Sequence, residues 1–174
     1  MWSRVIPWLR DDPEALAQAA GLLAAERPGE LAPSLVERAD RLESDARKMV
    51  AARVGEPVSF AERHLERHLV TLEVPAQWHP FWAEVGEAAL DEAGAEFCLC
   101  ALTDRPVLAL SRREGVRGDL SGWARYVTDL LPGSAVVDQT ADAVVLCVPG
   151  LSDQPAFKDD IVRLLIEGAH LLES

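Results

Sequence analysis

At 174 residues the chain is long enough for one ordinary domain with a helical extension, and 49% hydrophobic with 26% charged content excludes a disordered polymer. A net charge of −12 argues against a nucleic-acid binder, which needs a basic surface to neutralise phosphate, and against an anionic membrane as partner. No stretch approaches the ~20 apolar residues of a spanning helix, and the amino terminus lacks the apolar core of an export signal. The reading is cytoplasmic, so Cys98, Cys100 and Cys147 are expected as reduced thiols serving as small core residues.

From the amino end, Asp11-Asp12-Pro13 starts a helix, because carboxylates and a first-turn proline suit the unpaired N–H groups there. Pro28-Gly29 stops it. A second helix is predicted over about 32–53, where Leu35, Ala39, Leu42, Ala46 and Met49 repeat in alternating steps of four and three residues. Residues 13–53 thus read as a helical hairpin. Ser59 followed three residues later by Glu62 is a capping-box signature and predicts a third helix to about Leu72. Trp78, Phe81 and Trp82 form an aromatic loop leading into a helix over 81–93, which Gly94 ends.

Four short apolar runs follow at 96–102, 106–110, 134–137 and 143–148, bounded by Asp, Pro and Gly, and they read as buried or half-buried strands. Between the second and third lies a helix capped by Asp119 or Ser121, with Leu120, Ala124, Val127 and Leu131 as its apolar stripe. A last helix is predicted near 155–172, burying Phe157, Ile161, Leu164, Leu165 and Leu172. The predicted fold class is α+β: an N-terminal helical hairpin plus a small, mainly antiparallel β-sheet of about four strands covered by helices. Residues 1–75 form the helical extension and 76–174 the sheet domain, packed as one unit.

Chemistry is sparse. His64 and His68, four apart with Glu66 between, would share one face of the predicted helix, where two imidazoles could hold a metal. A third ligand would have to come from His79, His170 or a cysteine, and no spacing supplies one, so edge-of-core packing is preferred and no metal or cofactor is expected. No nucleophile elbow, zinc-protease motif, Walker loop or dinucleotide glycine pattern is present, which weighs against an enzyme. Gly115-Val116-Arg117-Gly118 resembles a single-strand-RNA loop in spacing only, and reads as a turn in an acidic chain.

The charge layout is more informative. Seven carboxylates and no Lys or Arg lie between Glu73 and Asp104, followed by five arginines (105, 112, 113, 117 and 125) against Glu114 and Asp119. An acidic helix abutting an arginine-rich turn can pair within one molecule, pair between two copies, or steer a charged partner. Self-association driven by that layout would weaken with salt. Tryptophan serves both as core filler and as interface anchor. Trp78, Trp82 and Trp123, with Arg112, Arg113 and Arg117, are the candidate contact residues.

The stretch Gly94-Ala-Glu-Phe-Cys-Leu-Cys-Ala-Leu-Thr-Asp-Arg-Pro-Val-Leu-Ala-Leu-Ser111 combines a helix-ending glycine, a strand, an aspartate at the turn and a second strand. With the helix before it and the strands after it, residues 79–174 resemble the roadblock family, small dimerising modules that bind or regulate small GTPases. The resemblance implies a dimeric regulatory domain. From the tryptophans, the arginine loop and the charge layout, the expected function is a non-enzymatic, cytosolic protein–protein contact or regulatory module that self-associates. The alternative is a small-molecule ligand-binding protein or hydrolytic enzyme whose pocket lies between helical hairpin and sheet, lined by His64, His68 and the arginines.

Overall fold

The computed structural model describes residues 2–25, 33–62, 65–102 and 104–149. Within them, α1 (Trp2–Val5) runs into a 3-10 turn (Ile6–Leu9) and is followed by α2 (Pro13–Ala24) and α3 (Pro33–Arg53). Then come β1 (Val58–Glu62), β2 (Leu65–Val74), a second 3-10 turn (Ala76–Phe81), α4 (Trp82–Ala93), β3 (Phe97–Leu102) and β4 (Val107–Arg112). The remaining described elements are α5 (Leu120–Leu130), β5 (Ala135–Gln139) and β6 (Ala143–Cys147). The helix expected at 155–172 lies outside the described residues.

The α+β class is as expected, but among the described residues the sheet holds six strands, in the order β1-β2-β3-β4-β6-β5, rather than about four. Only the β2–β3 pair is parallel. Both additional strands come from the segment predicted as a helix over 59–72, which is an antiparallel pair with Ser59 opposite His68. The capping-box spacing there belongs to a strand. Val70, Leu72 and Val74 are buried on one face of the sheet and Leu69 on the other, an arrangement of period two that a helix cannot deliver. The sheet therefore extends well to the amino side of the boundary expected near residue 75.

A parallel neighbour needs a crossover, and α4 supplies it between β2 and β3. It carries Val85, Gly86, Ala88, Ala89 and Leu90 on its buried side. The small residues let it lie close: a Cβ at Gly86 would stand 3.1 Å from the Ser111 hydroxyl and 3.4 Å from the Cys100 sulfur. Gly94 ends the helix at φ 62°, a left-handed conformation that glycine adopts without steric penalty. In the β3–β4 turn the same conformation falls to Asp104, also at φ 62°, a position aspartate tolerates better than most residues.

The sheet is covered on both faces. Val70, Leu72, Val74, Cys98, Cys100 and Ala109 meet α4 and the amino-terminal helices. Phe97, Leu99, Leu108, Leu110, Val144 and Leu146 face the other way, towards Leu120, Trp123, Ala124 and Val127 of α5. Burial on both sides explains why β3, β4 and β6 read as continuous apolar runs instead of alternating ones. The run at 134–137 was expected to be buried or half-buried as well; β5 is instead an edge strand with every residue exposed.

The seam on α3 is real: Ala39 and Ala46 are buried, while Leu35, Leu42 and Met49 are partly buried against the same core. It packs chiefly on α4 and the amino-terminal turns. Arg4 fixes the latter by ion pairs to Asp40 at 2.9 Å and Glu43 at 3.0 Å. Asp12 caps α2, accepting from the backbone N–H groups of Ala15 at 2.9 Å and Glu14 at 3.1 Å, and these bonds hold its carboxyl below the usual range.

Candidate functional site

The structure separates the proposed contact residues into two groups. Trp78 and Trp123 are buried and belong to the core, which corrects their expected place at an interface. Trp78 lies edge-on to Phe81 at 6.1 Å between ring centroids, and Phe81 meets Trp8 at 5.4 Å, so this cluster ties the amino terminus to the turn before α4. Trp123 is wholly buried under the sheet, its indole N–H without a hydrogen-bond partner among the described residues. Its size fills the space between α5 and β4 and β6.

Trp82, Arg112 and Arg113 do converge. They line a groove of about 470 Å³ between the outer side of α4, the end of β4 and the β5–β6 turn. Leu90 and Ala143 add apolar wall, and Glu87, Asp91, Glu114 and Asp142 add carboxylates. The sequence sets Glu114 among the arginines and Glu87 and Asp91 in the acidic stretch before them; what it does not show is their convergence with Asp142 on one groove.

Both groove arginines are structural. Arg112 donates to the carbonyls of Gly118 at 2.6 Å and Ala141 at 2.8 Å and to the Asp142 carboxylate at 3.1 Å. Arg113 donates to the carbonyls of Leu90 and Ala95 and pairs with Asp91 at 3.6 Å. It thereby adds a charged donor at the end of α4, where the Leu90 carbonyl also accepts from the Ala95 N–H at 3.1 Å. Asp91–Arg113 shows the acidic helix and the basic turn pairing within one molecule. Arg117, by contrast, is exposed on the 113–119 loop, with no hydrogen bond or ion pair to the described residues.

That loop is held at both ends. The Val116 N–H bonds the Arg113 carbonyl at 3.1 Å, Arg112 clamps Gly118, and the Asp119 carboxylate caps α5 through the Gly122 N–H at 2.9 Å. The groove is thus bordered by the start of an ordered loop, and its wall holds four carboxylates against two internally bonded guanidiniums.

The histidines lie elsewhere. His64 falls outside the described residues. His68 is on β2, part of a strand rather than the helix that would have put the pair on one face. Its ring lies 3.7 Å from Glu96, whose carboxylate also accepts from the His68 backbone N–H at 2.8 Å and from Arg67 at 2.9 Å. Burial alone would raise the Glu96 pKa, but the bonds from Arg67 and His68 and the charge of Arg67 outweigh it and hold the carboxyl below its ordinary value. His79 is buried with Nε2 3.1 Å from the Val74 carbonyl, an acceptor, so that nitrogen carries the proton. Among the described residues no three His, Cys, Asp or Glu side chains converge on a metal-sized site.

Cys98 and Cys100 share the face that α4 covers, with sulfurs 3.7 Å apart, and remain free thiols. The mutual contact and burial push the Cys98 thiol well above its ordinary pKa, so it is a protonated core group, not a nucleophile. A second cavity, about 290 Å³, lies among the amino-terminal turns, α3 and α4, not between a helical hairpin and the sheet. Its carboxylate Glu84 is bound by Arg10 at 2.8 Å, while burial, the larger influence, raises its pKa. Among the described residues no helix is long and apolar enough to cross a membrane. No protein-family model and no curated protein matches the chain.

Proposed function

We propose that this protein is a non-enzymatic cytosolic module for protein–protein contact or regulation, and that it self-associates. The observation that carries the reading is the groove beside α4, where the half-buried Trp82 and four carboxylates share a lining with Arg112 and Arg113, at the start of the loop that carries the exposed Arg117. Aromatic side chains and arginine are the residue types that dominate protein interfaces. Trp82, Arg112 and Arg113 meeting in one groove supports the expectation that this part of the chain is a contact face. The order of elements from α4 to β6 is the one on which the resemblance to roadblock modules rests.

Sedimentation equilibrium over a wide range of protein concentration tests self-association directly. A reversible monomer–dimer equilibrium is expected, and a single monomeric species up to millimolar concentration would refute it. Concentration is a cleaner variable than salt. Added salt loosens contacts between opposite charges but also screens the repulsion between two copies of net charge −12.

A further inference from the structure

We propose that the groove beside α4 receives Arg117 from a second copy of the chain, and that the exchange is reciprocal across a two-fold axis. The proposal rests on the self-association reading and gives it a geometry. The donor is a charge that its own molecule does not use. Arg117 is exposed and without a partner among the described residues, on a loop whose ends are fixed by Arg112 and Asp119. The acceptor is complementary: in the groove wall Arg112 and Arg113 are turned to backbone carbonyls and pair with Asp142 and Asp91. Glu87 and Glu114 are exposed there without ion pairs to the described residues, and they line the same groove as the half-buried Trp82. An indole face beside carboxylates suits a guanidinium, which can stack on the ring while donating to the oxygens.

Donor and acceptor are close along the chain, since Arg117 lies three residues after Glu114 of the groove wall, on the same loop. A surface carrying both halves of a complementary pair side by side is self-complementary, the requirement for a closed two-fold dimer rather than an open chain of copies. Each dimer would contain the contact twice. The competing seam is the exposed edge strand β5, with Val136 and Val137 uncovered. Its pairing to β6 is broken by a bulge between Val136 and Asp138, a feature that natural sheets use to discourage edge pairing.

A pair of charge-reversed proteins tests the exchange. Arg117→Glu puts an acid against an acidic groove; Glu87→Arg with Glu114→Arg puts Arg117 against a basic one. Each protein alone should dimerise at least tenfold more weakly than wild type, with an unchanged far-ultraviolet circular dichroism spectrum. Mixed in equal amounts, they should associate with affinity near that of wild type, because both contacts in the mixed dimer are again between opposite charges. Restored association cannot come from misfolding. Either protein dimerising as tightly as wild type, or a mixture that stays monomeric, overturns the proposal while the wild-type dimer leaves self-association standing. Dissociation by Val136→Lys but not by Arg117→Glu would place the seam on β5 and overturn it equally. A monomeric wild type would remove the self-association reading itself.

Discussion

Arg113 and Arg117 sit four residues apart and have opposite roles. The Arg113 guanidinium donates to the Leu90 and Ala95 carbonyls, where α4 ends. Its removal leaves two partly buried acceptors short of a charged donor, which costs on the order of 1–3 kcal/mol. Arg117 has no such bond, and an exposed residue away from caps and networks changes stability by about 0.5 kcal/mol or less. Urea unfolding should therefore show Arg113→Ala clearly destabilised and Arg117→Ala close to wild type, with any effect of Arg117 confined to association. Equal loss of stability in both would mean that Arg117 has an internal structural role. The sequence shows the cluster of arginines but not this division, because the acceptors are backbone carbonyls from α4 and the β5–β6 turn, which carry no side-chain signature.

At the scale of elements, the parallel β2–β3 pair is fastened at its start by Glu96. Its backbone N–H bonds the His68 carbonyl at 3.0 Å, while its carboxylate receives Arg67 and the His68 N–H. Since its folded pKa lies below the ordinary 4.5, the ionised form is favoured by folding. That contribution is complete above about pH 4.5 and is lost as the pH falls through the folded value. Denaturant midpoints should show wild type more stable than Glu96→Gln at neutral pH, with the gap closing below pH 4.5; a gap independent of pH would show the ionised carboxylate to be immaterial. Strands β3, β4 and β6 were legible because each is a short apolar run between turn residues. The β1–β2 pair was not, because Ser59-x-x-Glu62 and the histidines at a helical interval imitate a helix. The alternation Val70, Leu72, Val74 was the better guide, since burial against α4 decided the outcome. The exposure of β5 was equally hidden, because an edge position follows from strand order and not from composition.

For the whole molecule, a chain of net charge −12 that keeps arginines beside an acidic helix has two uses for them. Arg112 and Arg113 hold the fold together locally, and Arg117 is exposed on the loop that follows them. The sequence carried the layout; only the folded chain distinguishes the internal pairs from the remaining charges. The most direct measurement is amide hydrogen exchange on the wild-type protein over a dilution series. Protection that rises with concentration over α4 and residues 112–118, while β5 exchanges at a constant rate, is the predicted result. Protection confined to β5, or exchange that does not depend on concentration anywhere, would contradict it.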